Sequence, residues 1–265
     1  MAVNTPNAQY QLMRERWETM NDVCEGAPAI KLHPYKYLPY TQCDDDGKRF
    51  IQYAKRAVFY ETTKDTLQSH VGLAFSEDPS FEPDGMDFLK SNADGAGKSI
   101  YQLNQLALVG LLKHGRGGYL VDHPSVESGI SKAQAETMGL RPVIVHYDAM
   151  SIINWRVKKV GGEYRLSLVV LHEIENVVDP QDEFQEKAVN VYRVLRLDEN
   201  NRYSVQVYSD NTGELIGSDL IYPTRQGGTW DIIPFIFLGS QVNDSNIHDI
   251  PLEPLANINL AHYRN

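Results

Sequence analysis

Apolar residues in the first part of the chain recur every three or four positions, and from about Gly117 they alternate instead. In QYQLMRERWETMNDVCEG, Tyr10, Met13, Trp17, Met20 and Cys24 share one stripe, which predicts a helix stopped by Gly26. The stretch APAIKLHPYKYLPYTQCDDDGKR, with prolines at 28, 34 and 39, reads as a turn-rich connection. RFIQYAKRAVFYETTKDTLQSHVG then predicts one long helix, with Phe50, Tyr53, Ala57, Tyr60, Lys64, Leu67 and Val71 in phase. AFSEDPSFEPDG reads as loop. SIYQLNQLALVGLLKHG predicts a further helix with Leu103, Leu106, Ala107, Gly110 and Leu111 facing inward. Ser99 is placed to cap it and Gly115 to end it.

Beyond Gly117 the period of two predicts strands in GGYLVDH, RPVIVHYDA, SIINWRV, YRLSLVVLHEIE, AVNVYRVLRLD, YSVQVYS and IIPFIFLGS. The separators VGGEY, DENNRY and SDNTGEL carry hairpin chemistry rather than crossover chemistry. PSVESGISKAQAETMGL interrupts the strands as a short helix or exposed loop. A last helix starts near Pro251 or Pro254. Helices followed by an antiparallel sheet predict an α+β fold, helical over 1–116 and β-rich over 117–240.

Composition narrows the class. A chain of 265 residues with 42% apolar and 23% charged residues can bury a sizeable core. The net charge of −10 argues against a broad basic grip on nucleic acid, though not against a surface that lets DNA slide past. Cys24 and Cys43, the only cysteines, form no disulfide framework and no cysteine-rich zinc site. The N-terminus lacks the apolar core of a signal peptide, and no apolar run approaches membrane-spanning length. A soluble, cytoplasmic chain is expected.

One stretch invites a chemical reading. SNADGAGKSIYQ, residues 91–102, contains Gly97-Lys98-Ser99, the end of a phosphate-binding loop. The glycine such a loop needs five positions before its last is Asn92, and the preceding FEPDGMDFLK is more helix-like than strand-like. A calcium loop fits no better, because its first ligand would be Lys90 and its bidentate acid Tyr101. The plainer reading is a glycine-rich turn entering a helix.

Other candidates are weaker. His146 and Asp148 share a strand face, as do Glu173 and Glu175, with His172 opposite, but a wet strand face gives that pattern without a metal. No nucleophile elbow occurs. Asp44, Asp45 and Asp46 read as a solvated turn before a helix. In HGRGGYLVD, Gly115, Gly117 and Gly118 flank Arg116; a tight reversal is favoured over a ligand-contacting arginine on a mobile loop. HPYKYLPY reads as a packed proline-rich wrap rather than a single-strand binder. No catalytic, cofactor or metal set is expected, and the protein reads as structural.

A collinear set of stretches resembles the N-terminal part of tailed-bacteriophage portal proteins, the head-to-tail connectors. They are RERWETMNDVCEG, YLPY, AKRAVFYETTKDTLQSHVGLAF, LALVGLLKHGRGGYLVDHP, RPVIVHYDAMSIINWRV and IPFIFLGSQVND followed by PLEPLANINLAHYR. The resemblance implies a virion protein assembled in the host cytoplasm, forming a ring of usually about twelve subunits at one capsid vertex. DNA would be packaged through it by the terminase large subunit and later ejected. Major capsid or scaffolding protein and head-completion or tail adaptor proteins would be further partners, and no membrane is involved.

On that mapping residues 1–250 correspond to the wing and 251–265 to the start of the first stem helix. Portal proteins continue into a clip, a second stem helix, a tunnel loop and a crown, regions beyond those matched here. The resemblance makes 91–99 a turn entering a helix and leaves ATP hydrolysis to the terminase. An acidic conduit would repel DNA phosphates. Two other readings are a nucleotide-dependent enzyme using Gly97-Lys98-Ser99 and another phage connector or tail adaptor. The last helix, apolar around most of its surface through Leu252, Leu255, Ala256, Ile258, Leu260 and Tyr263, is expected to project from the sheet, partly exposed or frayed. The 265-residue chain alone is expected to be monomeric or weakly associating.

Overall fold

A computed structural model describes residues 2–40, 47–77, 79–82, 84–124, 134, 137–179, 181–210, 215–225 and 228–265. Asp44, Asp45, Asp46 and Cys43 lie outside the described residues, as does most of the interruption at 124–140. The fold is α+β. Its helices are α1 (Ala8–Glu25), α2 (Ala27–Leu32), α3 (Pro34–Tyr37), α4 (Lys48–Arg56), α5 (Thr62–Ala74), α6 (Ile100–His114) and α7 (Glu253–Arg264), with a 3-10 turn at Asp87–Lys90. Its strands are β1 (Arg116–Asp122), β2 (Val143–Asp148), β3 (Ile152–Val160), β4 (Glu163–Asp179), β5 (Asp182–Leu197), β6 (Tyr203–Asp210), β7 (Leu215–Gly217), β8 (Thr224–Arg225), β9 (Gly228–Thr229) and β10 (Phe235–Gly239). None of the described helices is long and apolar enough to cross a membrane.

The chain divides into two compact units. One contains Met1–Leu12, Gly117–Leu238 and Asn243–Asn246; the other contains Met13–Arg116, Gly239–Val242 and Ile247–Asn265.

In the helical unit the predicted α1 stripe is buried: Met13, Trp17, Met20 and Cys24 all lie inside, joined by Val23. The connection after Gly26 is less irregular than its prolines predict. Pro28 and Pro34 sit in the first turns of α2 and α3, where a missing N–H costs nothing. The wrap packs as aromatic chemistry requires, with Tyr35 stacked on Phe50 at 4.5 Å and Tyr40 edge-on to Phe50 at 5.3 Å.

The long helix predicted over 49–72 is two helices, α4 and α5, separated by residues 57–61. Phe59 is off the predicted stripe. The break lets it bury against Tyr263, with ring centroids 5.5 Å apart. α7 does not fray; it is partly exposed but packs one face within the helical unit. Ala256, Leu260 and Tyr263 are buried, Arg16 pairs with Glu253 at one end, and Arg264 Nε donates to the Tyr37 carbonyl at 3.0 Å at the other. Ile258 alone keeps a large exposed apolar surface on that helix.

In the sheet unit all seven predicted strands form, antiparallel where their register is resolved, in a five-stranded sheet ordered β3-β4-β5-β6-β7, a three-stranded sheet ordered β10-β1-β2, and the pair β8-β9. Gly161-Gly162 joins β3 to β4. The Asp198 carboxylate organises the β5–β6 turn by accepting from the N–H groups of Asn200 and Arg202 at 2.8 and 2.9 Å. Val169, Leu171, Val191 and Leu195 share one buried face of this sheet, and Val170 and Val194 on the other face are buried as well.

Candidate functional site

The loop before α6 is closed on itself. Asp94 Oδ1 accepts from the N–H groups of Ala96 and Lys98 at 2.8 and 2.9 Å, and Asn92 Oδ1 accepts from Gly97 N–H at 2.9 Å. Lys98 Nζ donates to Asp94 Oδ2 at 3.1 Å. A phosphate-binding loop aims such N–H groups and its lysine at an incoming anion. Here the chain's own carboxylate and amide oxygens take them. Burial works to raise the Asp94 carboxyl, but the Lys98 and Ala96 N–H groups outweigh it and hold it below the usual range. Ser99 and Gln102 complete a reciprocal capping box, so 91–99 is a turn entering a helix.

α6 ends at Gly115 in the left-handed region, φ 72°, as a C-terminal cap requires. A Cβ there would stand 2.6 Å from the Asp249 carbonyl oxygen. The inward face of α6 is Leu103, Ala107, Gly110 and His114, while Leu106 is exposed. His114 defines that face: its Nε2 lies 2.9 Å from Asn21 Oδ1, and its carbonyl accepts from Trp17 Nε1 at 2.9 Å. Arg116 is 1% exposed, so it belongs to the core rather than to a mobile ligand loop. In the sheet unit, a Cβ on Gly118 would collide with the Phe235 ring, whose Cε1 would lie 2.9 Å away. The glycines of HGRGGYLVD therefore serve close packing.

The histidines on these strands have aromatic and amide neighbours. His172 stacks on Tyr192 and faces Asn190 Oδ1 at 2.9 Å. His146 packs edge-on to Tyr119, and burial lowers its pKa while Asp148 pulls the other way. Among the described residues, no three His, Cys, Asp or Glu side chains converge as a metal requires. Glu173 instead joins a polar cluster. Its Oε1 accepts from Tyr147 OH at 2.5 Å and Arg193 Nε at 2.8 Å, and Arg193 Nη1 reaches Asp122 Oδ2 at 3.3 Å. Burial and then the Glu173 charge raise the Tyr147 phenol. Burial alone would lower the Arg193 guanidinium, but Glu173 more than offsets it. This cluster ties β1, β2, β4 and β5 together, with two carboxylates against one arginine. It positions strands and carries no nucleophile.

Two surface features of the sheet unit follow from the cluster's far side. β4 and β5 run past their neighbours: β3 pairs with β4 only as far as Leu171, and β6 with β5 only as far as Asn190. Beyond these points the hairpin continues as a two-stranded arm. The described residues between 174 and 188 lie at the surface, including Ile174, Val177, Val178 and Phe184, the last 88% exposed. The arm carries Glu175, Asp179, Asp182, Glu183 and Glu186 against Lys187. Asp179 and Asp182 accept N–H groups at the turn. Glu175, Glu183 and Glu186 have no cationic partner among the described residues.

At the base of the same sheet lies a groove of about 860 Å³, floored by Leu168, Val170 and Val194, whose edge mixes Arg156, Lys158 and Arg196 with Asp198 and Glu199. Arg156 and Arg196 are exposed and have no carboxylate partner among the described residues, and Lys158 Nζ donates to the Asp198 carbonyl at 3.2 Å. Sequence reasoning missed both features. The arm's residues 176–187 lie outside the predicted strands, because with both faces wet the polar–apolar alternation is weak. The groove's cations stand on β3 and β5, up to 40 residues apart, and only strand register brings them together.

The chain matches no family model among known protein families and no curated protein.

Proposed function

We propose that this chain is the wing portion of a portal-type protein, a structural subunit of a ring through which a phage genome is packaged and ejected. The observation that carries the reading is the collinear run of portal-like stretches from RERWETMNDVCEG to PLEPLANINLAHYR, in order over nearly the whole chain. Three features of the protein support it. The fold is α+β, and LALVGLLKHGRGGYLVDHP forms a helix, a glycine stop and a strand. The charge of −10 suits a surface past which DNA moves without being trapped. The exposed hairpin arm suits a subunit that is completed by neighbours, since a two-stranded ribbon is marginal alone in water.

On this reading the protein catalyses no reaction, and the terminase motor supplies the work of DNA movement. Its partners are further copies of itself, the terminase large subunit, the capsid or scaffolding protein and the tail adaptors, with double-stranded DNA in the channel and the virion as its location. The test is electron microscopy with native mass spectrometry on the full-length gene product. A closed ring of about twelve copies is expected. A full-length protein that stays monomeric at high concentration overturns the reading. Millimolar Mg-ATP should leave the melting temperature unchanged, because Asp94 and Asn92 already occupy the N–H groups of the loop. Saturable ATP binding abolished by Lys98→Ala would favour the nucleotide-dependent enzyme instead.

A further inference from the structure

We infer that a crevice at the end of β1 binds an organic cation, an alkylammonium or guanidinium head on a short apolar stem, with Asp122 and Tyr203 as its polar contacts. Such a site is independent of the ring reading.

The crevice lies within the sheet unit and holds about 160 Å³. Asp122 at the end of β1, Tyr203 at the start of β6, Trp230 and the three prolines 142, 223 and 234 line it. Two backbone bonds close it: Tyr203 N–H donates to the Trp230 carbonyl at 2.7 Å, and Val121 N–H to the Pro234 carbonyl at 2.9 Å. Proline walls are stiff and bring no N–H group that would need a partner. Pockets for drug-sized ligands begin at roughly 300 Å³, so this one takes a single side chain or a small organic ion.

Charge decides the kind of ligand. Glu173 and Asp122 set two carboxylates against the one guanidinium of Arg193. Glu173 accepts from Arg193 Nε and Nη2 and from the Tyr147 hydroxyl. Asp122 accepts only from Arg193 Nη1 at 3.3 Å and from the N–H of His123 at 2.9 Å. Its side chain is 38% exposed against 18% for Glu173, so the surplus negative charge sits at the crevice end of the cluster. Among the described residues, no lysine or arginine lines the crevice, and His123 Nδ1 donates to the Pro124 carbonyl at 2.8 Å.

Tyr203 supplies the second observation. It is 4% exposed, yet its hydroxyl has no hydrogen-bond partner among the described residues. A buried hydroxyl left in that state is uncommon and costly. Burial and then the Asp122 charge raise its phenol, with Arg193 pulling the other way, so the neutral hydroxyl stands in the field of that carboxylate. An ammonium or guanidinium head carries several donors and no acceptor, and can give one to Asp122 and another to the Tyr203 oxygen. The Tyr203 and Trp230 rings suit the cation, and the prolines suit its stem.

The experiment follows the indole N–H signals of the three tryptophans by NMR at pH 8, above the range in which histidine titrates. Trp17 and Trp155 are buried elsewhere, and Trp230→Phe assigns the reporter. The probes are n-butylammonium, Nα-acetyl-lysine amide and Nα-acetyl-arginine amide, with n-butanol as the neutral control. The cations should move the Trp230 signal saturably and leave the other two in place. Binding should weaken as salt rises, and n-butanol should bind about tenfold more weakly or less. Asp122→Asn should weaken cation binding by about tenfold and Tyr203→Phe by about threefold, with melting temperatures showing that each variant is folded.

No saturable shift with any cation overturns the site. So does n-butanol binding as tightly as n-butylammonium, a comparison on wild type that needs no variant, since the crevice would then select only for apolar surface. Folded Asp122→Asn protein that binds cations like wild type overturns it too. Tighter binding of the lysine or arginine amide than of n-butylammonium supports a side chain of another polypeptide as the occupant, and equal or weaker binding supports a free amine.

Discussion

Asn259 is a polar residue in the middle of an otherwise apolar helix face, 5% exposed, and its replacement should be among the costliest in the helical unit. α5 begins at Thr62, and the residue before it, Glu61, makes no capping bond from its side chain. The Glu61 carboxylate turns instead to Ala27 N–H and Lys64 Nζ, each at 3.0 Å. Asn259 on α7 takes over the cap. Its Oδ1 accepts from Thr63 N–H at 3.2 Å and Thr63 Oγ1 at 3.1 Å, and its Nδ2 donates to the Tyr60 carbonyl at 2.7 Å. Thr63 is 0% exposed, so no water can substitute at its hydroxyl.

Removing one partner of a buried hydrogen bond costs about 1–3 kcal/mol, and loss of a helix cap about 1 kcal/mol. Asn259→Ala should therefore destabilise by about 3 kcal/mol in total. At about 2–4 °C per kcal/mol for a chain of this size, the melting temperature should fall by about 6–12 °C in calorimetry or a circular-dichroism melt. Asn259→Asp keeps the acceptor at a helix start and loses only the donor to Tyr60, so about 1 kcal/mol is expected. Thr63→Val combined with Asn259→Leu removes both partners at nearly constant shape, and should cost less than the sum of the two single changes by about 1 kcal/mol or more. An Asn259→Ala protein that melts within about 1 °C of wild type, or strictly additive single changes, would refute the cap.

Gly118→Ala should destabilise by about 2 kcal/mol through collision with the Phe235 ring, and Phe235→Leu in the same chain should recover part of that loss in urea unfolding. Arg193→Ala leaves Glu173 and Asp122 facing Tyr147 without their cation. It should cost about 2–4 kcal/mol, reduced from the fully buried case because the arginine retains some solvent contact, and adding Glu173→Gln should recover part of it. Burial raises the phenols of Tyr37, Tyr119, Tyr147 and Tyr203, with Tyr37 and Tyr119 reaching about 12 against 10.0 in the free side chain. The unfolded chain gives up these protons first. Stability should be complete below about pH 10 and fall as pH rises from 10 towards 12, read as the urea midpoint alongside tyrosinate absorbance. A flat midpoint across that window would contradict the burial assigned to these side chains.

What the sequence determined by itself was the part of the structure governed by near neighbours. α1 is legible because Tyr10, Met13, Trp17, Met20 and Cys24 repeat at the helical period, and burial follows the stripe. α6 is legible from its ends, since Ser99 with Gln102 and Gly115 are local devices acting within one turn. The strands after Gly117 are legible from alternation and turn residues, which is enough to establish α+β. Asn92 stands where a phosphate loop needs glycine, and Asn92 and Asp94 are the residues that bond the loop to itself.

Tertiary structure decided whatever depends on residues distant in sequence. The break at 57–61 follows from Phe59 finding Tyr263 about two hundred positions later, a gain in burial that outweighs a few helical hydrogen bonds. Asn259 is a polar residue on an apolar helix face, and it is the partner that α5 lacks locally. Glu173 could be a wet-face acid or the centre of a cluster on sequence alone; Tyr147, Arg193 and Asp122, brought in by strand pairing, made it the latter. The arm and groove are further removed still, because they depend on where β3 and β6 stop alongside their longer neighbours. Periodicity and capping act over one turn or one hairpin, and a polar side chain's meaning is set by the distant partner that desolvates it.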